Sequence, residues 1–359
     1  MGRGIPRERA VTIEGWVRDH LCLDRATSAE LRYERMVWQA AEALPWVHRP
    51  ADPAQPFDWV EEARVGAFLA GLGRAQRVLD IGTGDGWPAL SLARHVQEVV
   101  AVDPSPRRAD LARDNARRLG LRNVEVVCAP AEELPSSDGA FDGVVSACAI
   151  EQSTDPGQVL REAFRVLRPG GRFAATFEDL TAELRSPVEE TAELYIEEET
   201  AVYRFVHRSL APLREAEYEL RFRADEVLRQ AAELIGPVPT FQSTGDEPGL
   251  RPVSPDDRVL GIPFLESARG SLLSARFFEL RHRSPQETTA LVGEAGFGGV
   301  KAFGNITWLA RDFFSPAHLE GLLQELAPHM DAITRAFGRL YGAVPVGKTS
   351  VFFVVAGKP

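Results

Sequence analysis

The stretch Val78-Leu-Asp-Ile-Gly-Thr-Gly-Asp-Gly-Trp87 limits what this chain can fold into more than any other. Val78, Leu79 and Ile81 supply a short apolar strand. Gly82, Gly84 and Gly86 supply a turn, and Pro88 with Ala89-Leu-Ser-Leu-Ala93 opens a helix. A turn without Cβ atoms lets a bound molecule approach the main chain closely. A second strand, Val99-Val-Ala-Val, ends in Asp103, where a carboxylate can accept both hydroxyls of a ribose. A glycine triplet alone is an ordinary tight loop; the acid at the tip of the next strand gives it meaning.

Strand and helix alternate from 78 to 178, the pattern of a parallel sheet. A helix over 107–119 ends at Gly120, and strand three covers 124–128. Strand four covers 141–146, a helix follows over 157–167, and strand five covers 173–177. Before the first strand, Pro50, Pro53 and Pro56 read as a linker into a helix over 61–72.

The glycine pattern is Asp-x-Gly-x-Gly-x-Gly led by Asp80, whereas the last glycine of a dinucleotide fingerprint would fall at Trp87. This pattern, Ala129-Pro-Ala-Glu-Glu-Leu-Pro135 and the turn Leu167-Arg-Pro-Gly-Gly resemble the class I S-adenosylmethionine (SAM)-dependent methyltransferases. The nearest branch is the small-molecule one, similar to the enzymes of ubiquinone and menaquinone biosynthesis. The resemblance implies an α/β fold: a three-layer, Rossmann-like sheet, mostly parallel, with its last strand antiparallel beside strand five. It also implies SAM as cofactor and methyl transfer to an O, N or C nucleophile of a small organic molecule. A SAM-binding regulatory or scaffold protein is the alternative of another class.

The resemblance places Gly82, Thr83 and Gly84, with Gly86, against the methionine end of SAM, and Asp80 either stiffens that turn or meets the ammonium. It gives the ribose to Asp103, the adenine to Pro104, Ala131 and Glu132, and the methionine moiety to Ala147. Pro130 departs from the family, which has an Asp there for the adenine amino group; either Glu132 or backbone near Ala131 takes over. Glu151 is the candidate for orienting or deprotonating the acceptor. No metal ligands are expected. Cys148 stands near a thiol position of arsenite methyltransferases, but their other thiols are unmatched, and a small buried cysteine explains it. The end of strand four lacks the Asn-Pro-Pro-Tyr and Pro-Cys sequences of macromolecule methylation.

A net charge of −11 argues against a nucleic-acid partner. No apolar run reaches the length of a membrane span, no signal peptide is visible, and three scattered cysteines form no disulfide frame. A cytoplasmic protein is expected.

The remaining sequence divides into an N-terminal helical cap over 1–61, the core over 62–179, an insertion over 180–284 and a return to the core over 285–359 that carries a helical insertion at 311–342. A helix is expected from Ser28 to Leu44, and Trp38, Trp46, Phe57 and Trp59 crowd the cap. The insertion shows strand-like alternation at 202–208 and 217–222 and a Gly/Pro-rich loop over 236–263, and reads as a lid that selects substrate. Glu-Leu-Arg-x-Arg occurs at 219–223 and at 279–283, each time before a helix start. His207 and His282 read as surface histidines, and Tyr33 has only its position to recommend it. The late stretch 300–308 reads as a strand and 350–356 as the last one. Gly342-Ala-Val-Pro-Val-Gly-Lys-Thr349 spells a phosphate-binding loop, but a helix precedes it and a strand follows, the reverse of what such a loop needs. Lys348 is then a surface residue.

Overall fold

The computed structural model describes residues 12–33, 51–235, 260–315, 320–347 and 349–359. They fall into two compact units. The larger comprises Thr27–Pro187, Leu210–Leu213 and Leu280–Pro359; the smaller comprises Met1–Ala26, Val188–Ser209 and Arg214–Glu279.

Seven strands form the sheet of the larger unit: β1 (Arg77–Ile81), β2 (Glu98–Asp103), β3 (Val124–Cys128), β4 (Phe141–Ala147), β5 (Leu167–Glu178), β6 (Gly298–Gly304) and β7 (Val351–Gly357). Their order is β6-β7-β5-β4-β1-β2-β3. β1 lies parallel between β2 and β4, with Val78 opposite Val99 on one side and Gly143 on the other. β7 runs antiparallel to both neighbours, Val354 facing Ala175 of β5 and Ala302 of β6. This is the Rossmann-like arrangement the sequence implied.

The strands are apolar on both faces because both faces are covered. Side chains alternate along a strand. Leu79, Ile81, Val100, Val102, Val144 and Phe173 therefore join one core, packed on the helix α4 (Pro156–Val166) through Val159, Leu160, Ala163 and Val166. Val78, Val99, Ala101, Val145 and Ala174 join the other, packed on α1 (Pro56–Leu72) through Val65, Phe68 and Leu72. Ala89 and Leu92 of α2 (Ala89–Leu92) complete that layer. The helix α3 (Pro106–Arg118) follows β2, capped by the Ser105 side chain accepting from the Arg108 amide.

α1 has a second apolar side. Trp59, Val60, Ala63 and Ala67 pack with Ile306, Ala310 and Phe314 of α6 (Ile306–Phe314) and with Met330 and Phe337 of α7 (Met330–Gly338). α5 (Pro285–Glu294), which precedes β6, opens with a capping box of Ser284 and Glu287. α1 and α7 touch backbone to backbone: a Cβ on Gly338 would stand 2.2 Å from the carbonyl carbon of Gly66.

Several expectations need correction. The N-terminal region is not one cap: residues through Ala26 belong to the smaller unit and those from Thr27 to the larger. α1 begins at Pro56, not 61, because the proline suits a helix's first turn. Ser28 does not cap a helix. The capping pair is Thr27 and Glu30, with the Thr27 amide donating to Glu30 Oε2 at 2.7 Å and the Glu30 amide to Thr27 Oγ1 at 3.3 Å. Only the single turn Ala29–Tyr33 of that helix falls within the described residues. Trp38, Trp46, Lys348 and most of the expected 236–263 loop lie outside them. The stretch 300–308 is not all strand: Asn305 accepts from the Thr307 amide and starts α6.

The smaller unit is a five-stranded sheet ordered Asp24–Arg25, Leu272–Arg281, Leu213–Arg223, Thr200–Leu210, Val188–Glu197. The two strands expected here, at 202–208 and 217–222, are present, and three more, Asp24–Arg25, Val188–Glu197 and Leu272–Arg281, were missed. Ala192, Leu194, Tyr203, Phe205, Tyr218, Leu220 and Phe222 share one face and pack on Ile13, Trp16 and Val17 of the helix Ile13–His20. Both Glu-Leu-Arg-x-Arg copies sit where a strand runs out towards a helix, before Glu226–Ile235 and before α5. His207 is not a surface residue; its Nδ1 lies 3.0 Å from Glu190 Oε1.

Candidate active site

The carboxyl ends of β1, β2, β4 and β5, with the loop after β3, enclose a cavity of about 500 Å³. Ligands in open α/β sheets bind at this edge, where the strand order reverses. The reversal here lies between β1 and β4.

The glycine turn forms the floor. Gly82 and Thr83 donate their amides to the Val102 carbonyl at 2.8 and 3.1 Å, which locks the turn to β2. Gly82 and Gly84 have φ of 75° and 58°, which other residues adopt only under strain. A Cβ at Gly82 would meet Ala149 Cβ at 2.2 Å, and one at Gly84 would meet Arg108 Nη2 at 2.2 Å.

Asp103 accepts from the Gly84 amide at 2.8 Å through Oδ2 and from the Ser105 amide at 2.9 Å through Oδ1. Each carboxylate oxygen keeps lone pairs for a second donor. Burial raises the Asp103 pKa, against the pull of the two amides and Arg108. Pro104, Ala131 and Glu132 line the same end of the cavity. Glu132 Oε1 also accepts from the Thr154 amide at 3.0 Å and hydroxyl at 2.8 Å, tying the loop after β3 to the start of α4. Ala147, at the end of β4, lines the cavity with Gly82, Thr83 and Gly84.

Three residues singled out in the sequence are not on the cavity wall. Asp80 is fully buried beneath the turn; burial pushes its pKa up to about 7, against the Thr83 hydroxyl and the Ala89 amide. Gly86 packs on α2, where a Cβ would meet Leu90 Cδ1 at 2.4 Å. Glu151 lines a separate small pocket with Glu178, His282 and Thr288. Its Oε1 accepts from the Glu178 amide at 3.0 Å. Burial and the Glu178 charge hold its carboxyl well above the usual range. The short 3-10 turn Ile150–Gln152 brings its neighbour Gln152, not Glu151, to the cavity.

Gln152 is the site's most telling residue. Its side chain is buried, and neither Oε1 nor Nε2 has a hydrogen-bond partner among the described residues. Buried amides are almost always paired, so an unpaired one on a cavity wall points to a ligand group. Sequence reasoning also missed Trp87 and Arg108. Trp87 lies on the wall with the Arg64 guanidinium 4.2 Å from its ring centre. Arg108 stacks 5.0 Å from the ring of Tyr33, which also lines the cavity. Trp87 occupies the failed third glycine position of the fingerprint, a signal that a side chain rather than bare backbone faces the site. Cys148 lines the wall too; burial, with the Glu151 and Glu178 charges, pushes its thiol up, so it is protonated and a poor thiolate ligand.

Residues 79–175 match the family model of the methyltransferase domain. The chain is 35% identical over 120 residues to the chloroplastic 2-methyl-6-phytyl-1,4-hydroquinone methyltransferase 1 of Oryza sativa subsp. japonica, covering 32% of this chain and 36% of that protein. It is 37% identical over 108 residues to the ubiquinone/menaquinone biosynthesis C-methyltransferase UbiE of Haemophilus ducreyi, covering 29% of this chain and 42% of that one. The chain thus spans well under half the length of these relatives. A solved S-adenosylmethionine-dependent methyltransferase from Clostridium acetobutylicum aligns with 84% of this chain and 90% of its own at 12% identity and a TM-score of 0.47, which adds nothing to the strand order. A domain of this family takes SAM as its cofactor. The residues present fit it: spare acceptor sites on Asp103 for a ribose, a glycine floor, and an unpaired amide on Gln152.

Proposed function

From the premise that residues 79–175 belong to the methyltransferase-domain family, we propose that this chain transfers a methyl group from SAM to an O, N or C nucleophile of a small organic acceptor held in the cavity. One observation carries the reading. Asp103, anchored by the Gly84 and Ser105 amides, presents its remaining lone pairs to the same cavity that the glycine turn floors.

When bound, SAM supplies an already activated methyl on a sulfonium. The chain's own task is to align the acceptor and keep water out. Asp103 holds the ribose. Pro104 and Ala131 frame the adenine, and Glu132 braces that wall through Thr154. Gly82, Thr83, Gly84 and Ala147 meet the methionine end. Asp80 and Gly86 support the turn from below, and Gln152 gives its amide to the ligand. Glu151 backs the wall and does not meet the acceptor.

Purified protein incubated with methyl-labelled SAM and a panel of phenols, amines and carbon acids is expected to move label to at least one acceptor and release S-adenosylhomocysteine. Tight binding of SAM with no transfer to any acceptor, and a Gln152 amide filled by a protein group in the complex, would favour the non-catalytic alternative. We also assign the chain to the cytoplasm: its three cysteines are free thiols, and no helix among the described residues is long and apolar enough to cross a membrane. Fractionation of cells expressing the chain tests this, and recovery with membranes or medium would contradict it.

A further inference from the structure

SAM carries a sulfonium, an ammonium and a carboxylate. The carboxylate is its one anionic group, and a cation on the cavity wall is what can recognise it. Among the described residues lining the cavity, Arg108 is the one with a cationic side chain. It stands in the first turn of α3, where its amide donates to Ser105 Oγ at 3.3 Å.

The guanidinium of Arg108 lies against the glycine turn. A Cβ on Gly84 would stand 2.2 Å from its Nη2, 3.1 Å from Cζ and 3.2 Å from Nε. Gly84 thus makes room for this side chain as well as adopting a φ of 58°. The ring of Tyr33, its centre 5.0 Å from Arg108 Cζ, holds the same guanidinium from another part of the cavity wall. Arg113 and Arg117 of the same helix each pair with an aspartate. The Arg108 guanidinium, by contrast, makes no hydrogen bond or ion pair among the described residues. Asp103 feels its charge, but both Asp103 oxygens already accept from backbone amides, of Gly84 and of Ser105. A planar cation with five N–H donors is therefore fixed in place with its donors unspent.

Resting on the SAM reading above, we propose that Arg108 binds the carboxylate at the methionine end of the cofactor, with Tyr33 as a positioning residue that holds the guanidinium beside the glycine turn. The fork of a guanidinium takes both oxygens of a carboxylate, and its flat face suits an aromatic ring. The junction of β2 and α3 then reads two parts of one ligand: Asp103 takes the ribose and Arg108 the carboxylate. The glycine turn between them supplies the floor.

Decarboxylated SAM tests this without knowledge of the acceptor, because it lacks the carboxylate and keeps the adenosyl group, the sulfonium and the amine. Full-length protein is titrated calorimetrically with SAM and with decarboxylated SAM. Wild type is expected to prefer SAM by about tenfold, which corresponds to about 1.4 kcal/mol. Arg108→Met is expected to bring the ratio near one, by weakening SAM while decarboxylated SAM stays within about threefold. Arg108→Lys, which keeps the charge without the fork, is expected to fall between, and serves if the methionine variant does not fold. Tyr33→Leu is expected to lower the ratio by about threefold, whereas a ring that only packs its segment would change both affinities alike. A wild-type ratio of one or less overturns the proposal. So does equal weakening of both ligands in Arg108→Met, which would leave Arg108 as a counter-charge to Asp103 alone, and so does a ratio unchanged by that substitution. If neither ligand binds wild type, the SAM reading itself is wrong and this proposal goes with it.

Discussion

Replacing Gln152 by leucine separates ligand binding from folding. The Gln152 backbone is well held: its amide donates to the Ala149 carbonyl at 3.1 Å, and its own carbonyl accepts from Ser28 Oγ at 2.9 Å. Its side-chain oxygen and nitrogen, by contrast, are buried on the cavity wall with no partner among the described residues. A buried polar group left unpaired costs about 1–3 kcal/mol, and an apolar group of like shape removes that cost. Gln152→Leu is therefore expected to stabilise the ligand-free protein by about 1–3 kcal/mol, read as a higher urea midpoint at unchanged m-value. The same change removes hydrogen bonds to the ligand, so affinity for SAM or its acceptor is expected to fall by roughly tenfold. Stability gained and binding lost in one variant is the pattern of a residue kept for function. A variant less stable than wild type, with ligand affinity unchanged, would refute the reasoning, because it would mean that the amide is satisfied within the fold.

Asp103→Ala is expected to weaken S-adenosylhomocysteine binding by more than about tenfold, since about 1.4 kcal/mol of ribose hydrogen bonding suffices; unchanged affinity in a folded variant would remove the ribose assignment. Gly338→Ala pushes a methyl group to 2.2 Å from Gly66 backbone and should cost about 1–3 kcal/mol or more, while Gly293→Ala, with nothing within 4 Å, should gain up to about 1 kcal/mol; denaturation midpoints moving alike would contradict the helix contact. Asp80 keeps its proton to about pH 7 in the folded chain but releases it near its ordinary value of 3.8 when unfolded. The folded state then binds more protons between those values, so stability falls as pH rises through that window. In Asp80→Asn that fall should shrink, and identical pH slopes for variant and wild type would be evidence against a buried neutral Asp80.

The core was legible because its physics is local. A strand buried on both faces reads as an apolar run, a turn that needs positive φ reads as glycine, and β1 to β5 with their helices followed from those two facts. Helix and strand ends slipped where a cap decided the matter: Thr27 and Asn305 each placed a boundary that hydrophobic pattern alone could not. The strand Val188–Glu197 was hidden by its glutamates: Glu189, Glu193 and Glu197 occupy the face opposite Ala192 and Leu194, and Glu190 interrupts the apolar face itself. The cavity wall was legible where backbone geometry made it, at Gly82, Gly84 and Asp103. It was not legible where distant segments meet. Glu178 and His282 share a pocket although more than a hundred residues separate them, and no spacing rule links them. Glu151 and Gln152 are adjacent in sequence, and only the short turn Ile150–Gln152 decides which faces the cavity.

The measurement that bears most directly on the central claim is a calorimetric titration of the full chain with SAM and S-adenosylhomocysteine, with NADH and ATP as controls. Saturable one-to-one binding of the two adenosyl ligands, and none of NADH or ATP, is the predicted result. Binding of NADH in place of SAM would contradict the reading of the glycine turn, and absence of binding by all four would contradict the assignment of the cavity to a cofactor.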